Sequence, residues 1–348
     1  MDLYRIDLRP RGPWLTPWHA DTIAGSLCWQ LRRQAGEAAL GELLERCRAG
    51  QPPFVLSDAF PADHLPRPLC VFRLIRRLSD QDALAQAQAD GARRDVGATC
   101  PVCRATSPPP ATPQEARFRL DRAWRRRELI PQADFEHIRA GRLPPCAAQG
   151  TDSPLKAPEH PFRAVARLHA TVDRRTGTSL QEGGLREEEE TWLDPRVGHL
   201  TIYARVQPDW TAQLENLFRA LAAAGFGKKK SSGMGAFTLV SFARCNDFAP
   251  CPQANAFISL SHFAPAAADP TEGDYGLIVK HGRLGEEFAL GEQPFKRPLV
   301  LLVPGSCLRT GGAPREWYGR AVAGLAPGQP GVLQLAFALA LPMRFPEA

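Results

Sequence analysis

No stretch of the 348-residue chain approaches the ~18 consecutive apolar residues of a membrane-spanning helix, so no membrane role is expected. The opening MDLYRIDLRPRGPW is charged and strand-like, not a cleavable leader. Neither sign of charge dominates: 43 basic residues face 37 acidic ones, a formal net charge of +6. That mild surplus tolerates a polyanionic partner without requiring one. The nine cysteines, at 28, 47, 70, 100, 103, 146, 245, 251 and 307, lack regular spacing, and an odd set of this kind is a poor disulfide framework. A cytoplasmic protein with reduced thiols is expected. Short-period repeats are absent, and so is any paired acid/base spacing. What is present is a 44% hydrophobic composition and length enough for two domains of ordinary size.

Periodicity predicts the elements. LYRIDLRP (3–10) alternates like a half-buried strand. Asp21 or Thr22 can cap a helix over 21–36, with Ile23, Leu27, Cys28 and Leu31 on one face and Gly36 as its stop. PPFVLSDAFP (52–61) and PRPLCVFRLI (66–75) read as short strands or edges, held off the sheet centre by their prolines. Residues 76–161 read as an insertion with little core of its own. It holds a stiff SPPPATP connector, a basic helix over 115–130 and a short helix over 131–141 between Pro131 and Gly141. A strand over 164–173, a protruding hairpin over about 174–190, a strand over 199–206, a helix over 211–224 and a strand over 236–242 follow. The helix has the stripe Leu214, Leu217, Phe218 and Leu221. This order is βαββαβ, the ferredoxin-like plan, interrupted after its first helix. Residues 255–345 supply further strands, AFISLSHF, YGLIVKHGRL, PLVLLVPGSCL and VLQLAFALALPMRF. The expected class is α+β, in two domains: 1–248, carrying the insertion and the hairpin, and a mostly-β 249–348.

Between the second helix and the strand after it lies GFGKKKSSGMGAF (225–237). It is no nucleotide-binding P-loop. That motif requires Gly-Lys-Ser/Thr after a strand and before a helix, whereas here Lys229 follows Gly227-Lys228 and a helix precedes. The helix also turns its negative end to the loop, which repels phosphate. Two readings stay open. Gly225 is a helix C-cap and the lysines are solvated, or the glycines clear space for a polyanion to reach main-chain N–H groups. In the second reading Gly225, Gly227, Gly233 and Gly235 open the backbone, Lys228, Lys229 and Lys230 supply charge, and Ser231 and Ser232 add donors. Such contacts hold nucleic acid without reading its sequence.

The loop resembles the glycine-rich loop of the RAMP superfamily of CRISPR RNA-binding proteins. LTPWHADTIAGSLCWQL (15–31), PPFVLSDAFP, HATVDRRTGTSLQEGGL (169–185), SLSHFAP (259–265), YGLIVKHGR (275–283) and PFKRPLVLLVPGS (294–306) narrow the resemblance. They are similar to the subunit of type III-A (Csm) effector complexes that caps the 5′ tag of the CRISPR RNA, across residues 3–345. The resemblance implies two ferredoxin-like folds with an RRM-like RAMP plan and a non-catalytic scaffold without cofactor. It also implies partners: the CRISPR RNA tag, the large polymerase/cyclase subunit, the adjacent backbone subunit, and target RNA nearby. It places tag RNA on the loop, assigns Arg174 and Arg175 to a thumb hairpin between tag and guide, and sets His19, Thr22, Gly25 and Ser26 at a helix start facing phosphate. Helix N-termini favour such anions on their own account.

Other residues carry competing chemistry. His19, with His169, His199 or His262 as partner, suits a general base that activates a 2′-hydroxyl in metal-independent RNA cleavage. The alternative function is thus a CRISPR RNA-processing endoribonuclease. CPVC (Cys100, Cys103) has half the spacing of a zinc site, with Cys70, Cys146, His137 and His160 as candidate neighbours, and ordinary thiols are favoured. RFRLDRAWRRR (117–127) puts Arg119, Arg122 and Arg126 on one helix face, for RNA or an acidic partner. EEEE (187–190) reads as a solvated, RNA-averse edge.

Overall fold

The structure, a computed structural model, describes residues 1–95, 109–145, 161–179 and 184–347. The CPVC pair, Cys146, His160 and residues 180–183 of the hairpin tip lie outside the described residues. Helix and antiparallel sheet are mixed throughout, as the α+β expectation requires.

The N-terminal half begins with β1 (Asp2–Pro10) and α1 (Ala20–Arg48). Short strands β2 (Phe54–Leu56), β3 (Phe60–Pro61) and β4 (His64–Pro66) come next. Then follow α2 (Val71–Arg76), α3 (Asp80–Asp95), α4 (Pro113–Arg125), β5 (Leu129–Pro131) and α5 (Gln132–Arg139). The half closes with β6 (Phe162–Ala170), β7 (Leu185–Leu193), β8 (Leu200–Val206), α6 (Thr211–Ala224) and β9 (Phe237–Arg244). Its main sheet has the order β2–β8–β1–β9, with β3 also on β8. β1 is central because both edges pair: Ile6 lies opposite Ile202 on one side and Phe242 on the other. Its inward residues Ile6 and Leu8 are fully buried.

Several expectations need correction. The strand read over 164–173 is not in the main sheet. It pairs with β7 as a separate two-stranded ribbon, attached by the backbone bridge between Trp14 and Thr191. The sheet position assigned to it belongs to Phe54–Leu56, three buried apolar residues whose flanking prolines argued for an edge, which is where they sit. Gly36 does end the first helical segment of α1, as expected, but a second segment follows it directly. Gly36 takes φ 84°, outside helical backbone, and the second segment runs to Arg48. The basic helix stops at Arg125, and Leu129–Pro131 become a strand on β4. The stripe Leu214, Leu217, Phe218 and Leu221 of α6 is buried as its spacing requires.

The C-terminal half comprises β10 (Ala256–Ser259), β11 (Gly273–Asp274), β12 (Leu277–Lys280), β13 (Leu299–Leu302), β14 (Cys307–Arg309), β15 (Trp317–Val322) and β16 (Gln334–Met343). Five form one sheet, β11–β14–β10–β16–β15, while β12 and β13 pair as a ribbon. β15 escaped sequence reading because Gly319 interrupts its alternation. A Cβ there would lie 2.4 Å from the Ala336 carbonyl oxygen of β16. Among the described residues of this half there is no α-helix, and α1 covers its sheet instead, packing on β15 and β16. One apolar core therefore runs through both halves, from Ile6 and Leu27 to Leu339 and Leu341, and it takes in Ile75, Leu120 and Ile138 of the 76–161 region.

Candidate nucleic-acid interface

The loop after α6 is built by its own packing. Gly225 caps the helix with φ 78°, and its N–H reaches the Leu221 carbonyl. Phe226 then turns inward, fully buried, and stacks on Trp18 at 4.0 Å. Gly227 has φ 79°, and a Cβ there would come within 2.6 Å of the Thr16 hydroxyl oxygen, which accepts from the Lys228 N–H at 3.0 Å. Gly235 has φ 64°, and a Cβ there would lie 2.0 Å from the Phe226 carbonyl oxygen. The abundance of glycine thus has a local cause at 225, 227 and 235: left-handed backbone and tight folding of the loop onto 13–18. Only Gly233, also at positive φ, faces open space. The excess of glycines does not by itself indicate a polyanion.

The lysines divide in the same way. Lys228 is exposed, and among the described residues its ammonium has no ion-pair partner. Lys229, in the left-handed region at φ 56°, directs its ammonium to Glu188 of β7. Lys230 pairs with Glu286, which also accepts from Arg33 of α1. Ser231 and Ser232 are exposed in a 3₁₀ turn. The loop therefore joins the ribbon through Lys229 and the C-terminal half through Lys230.

The EEEE run is consequently not a uniformly solvated edge. Side chains alternate along β7. Glu187 and Glu189 point to solvent, Glu188 faces Lys229 and His169, and Glu190 is fully buried with Arg167 Nε 3.1 Å away. Arg174 and Arg175 sit exposed in the turn at the ribbon's far end, where the Arg175 N–H donates to Asp173. At about 3.3 Å per strand residue they are roughly 20 Å along the ribbon from Lys229, so the structure does not bring them to the loop.

At the start of α1 the predicted cap is corrected. His19 is the N-cap residue and makes no side-chain cap bond, while Asp21 and Thr22 lie in the first turn. The cap comes from far along the chain: Asp58, just after β2, accepts from the Ala20 N–H at 2.9 Å. Asp58 also accepts from the His262 N–H and ring Nδ1, and His262 stacks on His19 at 4.0 Å. Burial disfavours the Asp58 charge, but His262 and the Ala20 N–H hold the carboxyl below the usual range. Burial drives His19 down to about 4 despite the Asp58 charge, helped by His262 and Lys280. Lys280 donates to Asp21 at 2.6 and 2.7 Å and to Thr22 at 2.8 Å, and lies 3.5 Å from His19 Nδ1. Of the histidine partners weighed for His19, His262 is present. His169 Nε2 lies 3.3 Å from Glu188, and His199 lies by Asp7.

His19, Asp58 and His262 bring ligand-type atoms within 4.8 Å of one another. Both Asp58 oxygens already accept internal hydrogen bonds, and the Lys280 ammonium occupies the cation's place beside His19. The arrangement is an electrostatic clip between the halves, and it does not fit a metal. Asp58, Lys280 and Gln334 were not singled out from the sequence, and only a long-range pairing signal would have found them. Gly25 and Ser26 lie one turn on: Gly25 is exposed with open space around its Cβ position, and Ser26 donates to the Thr22 carbonyl.

The basic insertion helix is largely neutralised. Arg117, Arg125 and Arg127 pair with Asp80, Asp121 and Asp90, and Arg119 pairs with Glu115, leaving Arg122 and Arg126 exposed on the surface. Cys70, weighed as a zinc neighbour, is fully buried beside Cys307 in the core, and the pair's contact raises its thiol pKa. The described cysteines, 28, 47, 70, 245, 251 and 307, are free thiols. Among the described residues no helix is long and apolar enough to cross a membrane.

No family profile and no curated protein matches the chain. Solved structures do. A chain of a Csm1–Csm4 cassette in complex with cA4 matches with a TM-score of 0.58 at 16% identity, covering 100% of both chains. The cassette with pppApApA matches at 0.56 and 16% identity, again over 100% of both. A chain of the Csm3–Csm4 subcomplex in the type III-A CRISPR-Cas interference complex matches at 0.52 and 14% identity, covering 99% of this chain and 100% of that one. Csm4 is the component these assemblies share. The fold is Csm4-like. The resemblance to a type III-A CRISPR subunit, read from short segments, is thereby matched at the level of the whole chain's fold.

Proposed function

We propose that the chain is a non-catalytic scaffold subunit of a type III-A CRISPR effector complex. It caps the 5′ tag of the CRISPR RNA and joins the backbone subunits to the large polymerase/cyclase subunit, in the cytoplasm. Each half is read as a ferredoxin-like unit, the second borrowing α1 as its helical cover. One observation carries the reading: the end-to-end likeness to chains from assemblies in which Csm4 meets Csm1 and Csm3. The site is compatible with it. Lys228, Ser231, Ser232 and the backbone of α1 at Gly25 are exposed, and backbone contacts of this type hold RNA irrespective of sequence.

The chain, expressed with its neighbouring complex genes, is expected to co-purify with a small RNA of defined 5′ end and a much larger subunit, and to crosslink to the tag. In that complex Lys228–Lys230→Ala should weaken RNA capture and flatten its salt dependence. Recovery without RNA, or unchanged affinity across salt concentrations, overturns the reading.

The stacked His19 and His262 beside Asp58 favour a second reading, RNA cleavage without metal. Lys280, Asp21 and Asp58 already hold these groups in an internal network, which suits a clip better than a base. Repeat RNA incubated with the protein in EDTA should stay intact. Specific cleavage abolished by His19→Ala would establish the endonuclease instead.

A further inference from the structure

We propose that the 3₁₀ turn Glu286–Leu290 is an internal strap: its carboxylates hold cations of the glycine-rich loop and of α1, and an RNA that takes those cations displaces it. The inference rests on the RNA reading above and adds a conformational step which that reading does not contain.

The segment leaves and rejoins the C-terminal half at one place. The Leu284 N–H donates to the Pro294 carbonyl, and the Lys296 N–H to the Gly282 carbonyl. Beyond these bonds, none of the residues Glu286–Leu290 is buried, and Leu290 is 90% exposed. Charge holds the turn down. Glu286 pairs with Lys230 of the loop and, at 2.5 Å, with Arg33 of α1. Glu287 pairs with Arg32, which also reaches Glu37. One aromatic contact adds to this, Phe288 on Trp29 with ring centres 5.5 Å apart. Gly285 lets the backbone pass close, since a Cβ there would lie 3.2 Å from Trp29 Nε1. Gly25, Trp29, Arg32 and Arg33 recur at helical spacing within the first segment of α1. The strap therefore crosses α1 on the face that exposes Gly25.

Two features separate a strap from a permanent brace. Glu286 has φ 52°, a left-handed backbone that a residue with a side chain adopts only at a cost. Strain of this kind persists where the surroundings impose it, and it collects at switch segments. Here the surroundings are two cations. Burial works against the Glu286 charge, yet Lys230 and Arg33 hold its carboxyl below the usual range. The bonds are also of a kind that exchanges. Ion pairs this exposed are individually weak, and a turn with no buried residue belongs to the part of a fold that opens most easily. A phosphate chain offers Lys230, Arg32 and Arg33 the same charge-assisted acceptors, forked for the two arginines. The carboxylates of the turn thus stand where phosphates would, on cations from both the loop and α1.

Hydrogen exchange of the purified full chain reads the strap without RNA. In E286Q the peptides covering 286–291 should exchange about fivefold faster than in wild type, the scale of two exposed ion pairs. Unchanged exchange there would show that the carboxylate does not hold the turn and would end the proposal. Anisotropy of a fluorescent single-stranded RNA of about eight nucleotides, over several salt concentrations, reads the competition. E286Q should bind about fivefold tighter, with its log K against log salt slope steeper by about 0.7. F288A alters no charge and should bind about threefold tighter, the scale of one aromatic pair, with the slope unchanged. E292Q removes an exposed carboxylate of the same segment that makes no ion pair among the described residues, and should match wild type. If E292Q tightens binding as much as E286Q does, the effect is one of net charge and the strap is overturned. Added RNA should speed exchange over 286–291 in wild type, whereas slowing there would place the turn under the RNA and overturn displacement. K228A touches no strap pair and reports the RNA reading separately. If K228A weakens RNA binding while E286Q and F288A bind like wild type, the strap is wrong and the RNA reading stands. If wild type itself does not take the RNA, the RNA reading fails and displacement fails with it.

Discussion

His262 donates through Nδ1 to Asp58 at 2.5 Å, and the same carboxylate caps α1 through the Ala20 N–H at 2.9 Å. One buried side chain from the β2–β3 connection therefore ties the first helix of the N-terminal half to a loop of the C-terminal half. This explains how the core can run continuously through two sheets whose strands do not pair with each other. Removing the carboxylate leaves the buried Ala20 and His262 donors unsatisfied, at a cost of about 1–3 kcal/mol each. Asp58→Asn is expected to lower the urea midpoint accordingly, and Asp58→Ala at least as much. An unchanged midpoint would remove the clip from the account.

The clip also sets a pH dependence. His19 is held near pKa 4 in the folded chain, against about 6.5 when unfolded. Between those values the unfolded state binds more protons, so stability rises with pH there. Acidification from pH 6.5 to 4 should cost up to about 3 kcal/mol at this residue. His19→Gln should flatten that part of a stability-against-pH curve, measured by urea unfolding. Asp58, whose folded pKa is lowered, contributes in the same direction. Its stabilisation is present above the ordinary carboxylate range and is lost as pH falls through its depressed value.

The loop glycines divide by what surrounds them. Gly235→Ala drives a Cβ into the Phe226 carbonyl, 2.0 Å away, at a positive φ, and is expected to destabilise the protein by about 2–4 kcal/mol. Gly233→Ala has open space and should cost only about 1 kcal/mol for its left-handed backbone. Thermal unfolding of the two variants checks the order, and equal losses would contradict the packing described for this loop.

How much of this was legible in the sequence depends on range. The α6 stripe and the β1 alternation are local patterns, and both elements form where the spacing put them. The misplacement of Phe162–Ala170 has a physical cause. Alternation marks a strand without saying which strand it pairs with, and a ribbon shows the same period as a sheet edge. His19 and His262 were recognised separately, 243 positions apart by their numbering. Asp58 and Lys280, which complete the clip, look like any loop acid and strand lysine until the chain has folded. The glycines of 225–235 were over-read for a related reason. Composition gives their number, but only the coordinates show that Thr16 and Phe226 crowd two of them.

Glu188 restrains a loop cation. Its carboxylate pairs with Lys229 and has His169 3.3 Å away as a second partner, and the Lys229 contact holds its pKa below the usual range. Glu188→Gln releases Lys229 for phosphate and is expected to tighten RNA binding about threefold, with the salt slope steepened by about 0.7. Glu187→Gln, on the opposite face of the ribbon, removes the same charge without freeing a lysine and should leave the slope unchanged. Identical behaviour of the two variants in a salt-series binding assay would show that the Lys229 pairing is irrelevant to RNA.

Gly25 sits inside α1, exposed, in ordinary helical conformation, with nothing within 4 Å of a Cβ position. Nothing in the fold needs glycine there, and alanine would be better for the helix by about 1 kcal/mol. A backbone that must approach the helix closely supplies the missing reason. Gly25→Ala is therefore expected to raise stability by about 1 kcal/mol and to weaken RNA binding several-fold. The salt slope should not change, because no charge is altered. Gly41, in the second segment of α1 and equally free of neighbours, is the internal control: Gly41→Ala should stabilise to the same degree and leave RNA affinity alone. If both variants stabilise and both bind RNA like wild type, the face of α1 at Gly25 is not where the RNA lies, and the interface must be drawn from the loop alone.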